Sequence, residues 1–200
     1  MSVVVDHQPL EAEHMGLKTV GQVLAHLQRD NRLVVHVLID GQEPDLDRMN
    51  AVRQSPLIGH TVYIETAEPK QMALDVLTEV EHQLAEADRL KMEAAELLQK
   101  NQNAPAMEKL SGCFSTWQHA QESVLKTGQL LRIDLDTVKA GAASMTQLFN
   151  DFTVQLREIR AALESRDFVT LADLLLYETS ETTARWREAI AAMRGVVAAK

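Results

Sequence analysis

The sequence predicts an α+β protein, with a small α/β domain over residues 1–67 and a bundle of four long, mainly antiparallel helices over residues 68–200. Three observations predict it. Short β-branched runs alternate with turn residues as far as Pro69. Beyond Pro69, apolar residues recur at steps of three and four almost to the end of the chain, the spacing of amphipathic helices. Only short polar breaks interrupt that second part, which favours antiparallel neighbours.

In the first part, Ser2 to Asp6 reads as a short strand. Thr19 is placed to cap a helix whose apolar positions are Val20, Val23, Leu24 and Leu27, and Asp30-Asn31 closes it. Leu33 to Ile39 is apolar on both faces, which predicts a central, covered strand. Asp40-Gly41 ends that strand as a turn pair. Glu43-Pro44 breaks the chain, and residues 45–54 are a loop or a short helix. Thr61 to Glu65 is the last strand.

Val34 to Gly41, then Glu43-Pro44, then the run from Pro56 through Leu57, Gly59 and Val62 to Ile64 carry a resemblance. This third of the chain resembles ubiquitin-like β-grasp domains of the sulfur-carrier type. The resemblance implies a fold only. Carriers of that type end in a free Gly-Gly whose carboxylate is activated, and no Gly-Gly occurs anywhere here. Carrier chemistry is therefore not expected.

Pro69 suits the first turn of a helix, where its missing N–H costs nothing. The first bundle helix runs to about Leu98 on the stripe Ala73, Leu77, Val80, Leu84, Ala87, Lys91 and Ala94, roughly 45–50 Å of helix. The break at residues 101–105 precedes a second helix carrying Leu110, Phe114, Trp117, Gln121 and Val124. A third is expected after Asp134 or Asp136 as cap, with Val138, Met145, Phe149, Phe152 and Ile159 on its stripe. Asp167 is expected to cap a fourth, carrying Leu171, Leu175, Glu178, Trp186, Ile190 and Met193. Trp117, Trp186, Phe149 and Phe152 are read as core. Whether the bundle closes within one chain or through a second copy stays open at this level.

A net charge of -9 argues against nucleic acid as partner, because phosphate neutralisation needs clustered Lys and Arg. The one cysteine, Cys113, forbids an internal disulfide and argues against a Cys-based zinc site, and it reads as a packed small hydrophobe. The N-terminal residues do not read as a secretory signal, and no apolar run reaches the roughly 18 residues of a membrane span. A cytoplasmic protein without membrane insertion is expected.

Glu79-x-x-His82 and His119-x-x-Glu122 invite a di-metal reading. On the helical wheel Glu79 and His82 fall roughly 140–200° from Leu77, on the solvent side. The early histidines His7, His14, His26, His36 and His60 match no zinc spacing. No catalytic residue, metal or cofactor is assigned. Glu178 and Gln121 both fall in apolar stripes; the favoured reading puts Glu178 half solvated at the bundle's edge beside Arg185 or Lys126, and the sharper alternative is a buried polar pair of the two. The leading expectation is a non-enzymatic interaction or assembly protein, acting through its bundle and forming a homodimer, with a strand edge of the small domain as a second docking surface. Two alternatives accompany it. One is an enzyme or small-molecule binder with a groove between the domains, lined by Asp40, Asp45, Asp47, Arg48 and Arg53. The other is a chaperone-like bundle for a client protein.

Overall fold

The computed structural model describes residues 2–200, Leu46 by its backbone alone. Met1, the first residue of the expected domain, lies outside them. The chain divides into two compact units, Met1–Met72 and Ala73–Lys200.

In the first unit, β1 (Ser2–Val5) and β2 (Gln8–Pro9) form a hairpin through Asp6 and His7. Both turn residues have positive φ, 46° and 65°, as a tight two-residue hairpin demands. Helix α1 (Val20–Arg29) follows, and the Thr19 hydroxyl accepts from the Gln22 amide at 3.3 Å. Then come β3 (Leu33–Ile39), a short helix α2 (Met49–Gln54) and β4 (Thr61–Ala67). The strand order is β2-β1-β4-β3. Strand β4 lies parallel to β1 and antiparallel to β3. Alternate residues Val3, Val5, Val62 and Ile64 are buried against Val20, Val23, Leu27 and Leu57.

The strand expected at the centre of the sheet is therefore an edge. None of its residues is fully buried, and Val35 is 48 % exposed. An apolar run reports that something covers a strand, but not which side of the sheet it occupies. The centre goes to β4, whose alternation of buried and half-exposed residues is cleaner.

In the second unit, α3 (Pro69–Gln99) and α4 (Asn103–Leu131) form a hairpin. The first half of α3 and the second half of α4 share one core, containing Leu77, Leu84, Trp117 and Val124. The opposite halves share another, containing Ala94, Leu98, Ala106 and Leu110. The two helices thus run antiparallel. Helix α5 (Met145–Ser165) relates in the same way to a last helical run, α6 (Phe168–Asp173) and α7 (Thr179–Ala199), joined by a π-helical turn at Leu174–Glu178. All four long runs contribute to both cores, so the bundle closes within one chain. Trp117, Phe149, Phe152 and Trp186 form an edge-to-face aromatic cluster at its middle, with ring centroids 5.0–5.5 Å apart.

The hairpins turn on left-handed residues at the helix ends, Asn101, Arg132 and Arg166. At each, the next residue's amide reaches back five places, as in Gln102 to the Leu97 carbonyl at 2.8 Å, which closes the helix end. Asp167 caps α6 as expected, accepting from the Thr170 amide at 3.0 Å.

The third bundle helix starts later than expected. Asp134 accepts from the Asp136 amide at 3.0 Å and organises a turn rather than a helix. A small hairpin, β5 (Lys139–Ala140) with β6 (Ala143–Ser144), follows. Val138 is buried from this hairpin, so its place on the stripe was coincidental with helical spacing. Ser144 is the true cap. Its hydroxyl accepts from the Gln147 amide at 3.2 Å, and its own amide donates to the Gln147 side chain at 2.7 Å. This reciprocal box satisfies two otherwise orphaned donors. Ser144→Ala is expected to cost about 1 kcal/mol of stability, read as a lower urea midpoint with unchanged slope.

Candidate functional site

The first unit carries the most open chemistry of the molecule. Among the described residues only β4 pairs along β3, apart from a turn bridge between Ile39 and Gln42. The Ile39 amide donates to the Gln42 carbonyl at 2.9 Å, away from β4, whereas the Asp40 amide donates to Thr61 at 2.8 Å. Alternation along a strand then turns the Val37 amide and carbonyl outward as well. The pairing register slips at Val35 between Val34 and His36, a β-bulge. The free edge thus runs from Leu33 to Val37.

Beside this edge lies an open groove of about 560 Å³. Its apolar lining comes from Leu24 on α1, Met49 and Val52 on α2, and Val34, Val35 and Val37 on β3. Gly21 brings the two helices close, since a Cβ there would stand 2.7 Å from the Arg53 carbonyl. Charged groups ring the groove. Arg32 binds the Asp6 carboxylate, and its Nε donates to the Thr66 hydroxyl at 2.9 Å. Asp6 also accepts from the Thr66 amide and hydroxyl, each at 2.7 Å. His36 lies 2.9 Å from Glu43. Arg53 is exposed and has no carboxylate within ion-pair distance among the described residues.

The other residues expected at a groove are also exposed. Asp40 accepts from the Thr61 amide at 2.8 Å and lies 2.6 Å from the His60 ring. Asp45 accepts from the Asp47 amide at 3.0 Å and pairs with Arg48 at 3.6 Å. Asp40, Asp45 and Arg48 are therefore occupied in shaping turns, Asp47 contributes its amide to one, and Arg53 alone faces the apolar groove.

The bundle holds a different polar cluster from the alternative Gln121–Glu178 pair. Glu178 is exposed and Gln121 half-buried, so they are not a buried pair. The π-helical turn rotates Glu178 off the stripe that uniform helical spacing assigned it. Nor do the two cations considered for it serve it, since Arg185 pairs with Glu181 and Lys126 with Glu122. Among the described residues the buried charged side chain is Lys91, 1 % exposed. Its ammonium donates to Asp88 and to the Ser180 hydroxyl, both at 3.0 Å. Asp88 in turn binds Arg187 at 2.5 Å. Lys91 lay on the α3 stripe by spacing, and Asp88 three residues earlier was the signal that its charge had a partner. Cys113 is buried, and burial pushes its thiol up to about 12, so it is a packed neutral group. Glu79, His82 and His119 are exposed. Among the described residues no group of His, Cys, Asp and Glu is placed to hold a metal ion, and no helix is long and apolar enough to cross a membrane.

Residues 75–189 match the family model described as a domain of unknown function, DUF8042. The chain belongs to the DUF8042 family. The match runs from the second turn of α3 to the middle of α7, so the family is defined on the bundle, and the Lys91–Asp88–Arg187 cluster lies inside it. No curated protein and no solved structure matches the chain.

Two measurements check this electrostatic picture. Asp88→Ala leaves a buried ammonium without its carboxylate. It is expected to cost about 2 kcal/mol in urea denaturation, less than the ~3–5 of a fully buried pair because Asp88 keeps some contact with water. Lys91→Met should be neutral or stabilising. Hydrogen bonds from His60 and then Thr61 hold Asp40 below its ordinary value of 3.8. A carboxylate lowered on folding stabilises the fold above its unfolded pKa, and that contribution fades as pH falls through the lowered one. The Thr61 amide shift should therefore titrate with a midpoint below 3.8 and stop responding in Asp40→Asn.

Proposed function

We propose that this chain is a non-enzymatic, cytoplasmic interaction protein and that its first unit is the docking part. One observation carries the reading: among the described residues the outer edge of β3 is unpaired from Leu33 to Val37 and lies beside an apolar groove. Exposed strand edges are ordinarily blunted by charge or proline. From Leu33 to Ile39 the strand has neither, and its central Val35 is half exposed. Such an edge supplies backbone donors and acceptors, and the groove supplies specificity.

The same unit is read as β-grasp-like. Its first and last strands lie side by side in parallel, and the helix between the second and third strands covers one face. The bundle buries its own seams, with Leu77, Leu84, Leu110 and Met193 at most 1 % exposed. This favours a rigid scaffold over a client-shielding chaperone. The enzyme reading finds less support, because three of its five candidate residues are spent on turns. A homodimer is the second reading, favoured by Val169 and Tyr177 on the last helical run, 75 % and 71 % exposed.

The test is to purify the full chain from its native cells under mild conditions, weigh the particle and identify what remains bound. The expected outcome is a protein partner at fixed stoichiometry that is lost with Val35→Lys. A particle of the chain's own mass that carries a metal or small molecule and ignores that substitution overturns the reading.

A further inference from the structure

We infer that the β3 edge takes a short extended segment of a partner protein by strand addition, and that this segment carries a bulky aliphatic residue for the groove and a carboxylate for Arg53. The inference rests on the docking reading above and names what docks.

Three features of the edge select this occupant. The first is its length. The start of the strand at Leu33 and the bridge from Ile39 to Gln42 confine free pairing to about five residues, and the bulge at Val35 interrupts them. Bulges are a standard guard against edge-to-edge association of whole sheets, because they twist the edge away from a long straight partner. A second copy of this sheet would need that length, whereas a segment of three or four paired residues does not. The second is the lining. Leu24, Val34, Val37, Met49 and Val52 form an apolar cleft open along the strand. Side chains of an added strand alternate between its two faces, so every second residue can enter the cleft. The third is charge. Asp6 neutralises Arg32, and Glu43 is engaged by His36. Arg53 remains as an uncompensated cation on a chain of net charge -9. A carboxylate next to the aliphatic anchor would pair with it at the groove, whereas a basic residue in the same place would be repelled by it.

The test uses random decapeptides displayed on phage and selected on the full-length chain. Enriched peptides are expected to carry an aliphatic run next to Asp or Glu. A synthetic copy of the best peptide should lose about tenfold or more in affinity when its alternate amides are N-methylated, since those amides supply the strand bonds. Val35→Lys and Arg53→Glu, both at exposed positions, should each weaken it about as much while leaving the circular dichroism unchanged. Exchanging the peptide's carboxylate for lysine should restore binding to Arg53→Glu alone. If peptides bind but ignore N-methylation and both substitutions, strand addition at β3 falls while docking elsewhere on the chain stands. If no peptide is enriched, the inference falls, and the docking reading falls with it only if the native particle also lacks a protein partner. A concentration-dependent dimer abolished by Val35→Lys, in the absence of peptide, would replace the partner segment with a second copy.

Discussion

The pairing of β4 between β1 and β3 is the constraint on which the first unit depends. Parallel pairing to β1 joins residues nearly sixty positions apart, Ser2 with Thr61 and Val5 with Ile64. Contacts so distant in sequence close a long loop, whose entropy must be offset by burial. The buried alternation of Val3, Val5, Val62 and Ile64 over α1 supplies it. Asp6 secures the end of the pair, accepting from Thr66 on β4 and from Arg32 ahead of β3. Both sides of β4 are occupied and β3 closes the order, so among the described residues β3 pairs with β4 alone apart from the turn bridge at Ile39. The open edge is thus a consequence of the topology and not of a weak strand.

The bundle solves a different problem. Its four runs bury their stripes against one another, but α3 carries a lysine into the interior. A buried ammonium is tolerable only with hydrogen-bonded counter-charge. Asp88 and Ser180 provide it, and Arg187 balances Asp88 in turn. Ser180 sits just past the π-helical turn, in a run of hydroxyl residues. Thr179, Ser180 and Thr183 each donate to the carbonyl four residues back, at 2.7–2.8 Å. Such back-bonds relieve backbone groups where helical pairing is irregular. The local unwinding and the Lys91 contact therefore belong to one arrangement, which sets the register of α3 against α7.

The two units divide the chemistry between them. The DUF8042 match covers most of the bundle, where the Asp88–Arg187 pair beside the buried Lys91 ties α3 to α7. The groups open to a partner, the β3 amides, the apolar groove and Arg53, lie before residue 69. A closed scaffold and an open edge are properties of different segments, each with its own core.

The sequence by itself determined the class of the protein. Helical periodicity after Pro69, the breaks near residues 101 and 165, the Asp167 cap and the aromatic core are local signals, and local signals survive without tertiary information. It also carried Lys91 on its stripe and Arg53 among the polar candidates. Tertiary structure decided the rest. Whether an apolar run is a centre or an edge depends on which strands pair with it, so β3 was misplaced while its existence was legible. A π-helical turn shifts every later residue around the helix axis, so Glu178 left the core that uniform spacing had given it. The groove beside Arg53 exists only because Gly21 lets α2 approach α1, a contact between residues more than thirty apart that no periodicity reports.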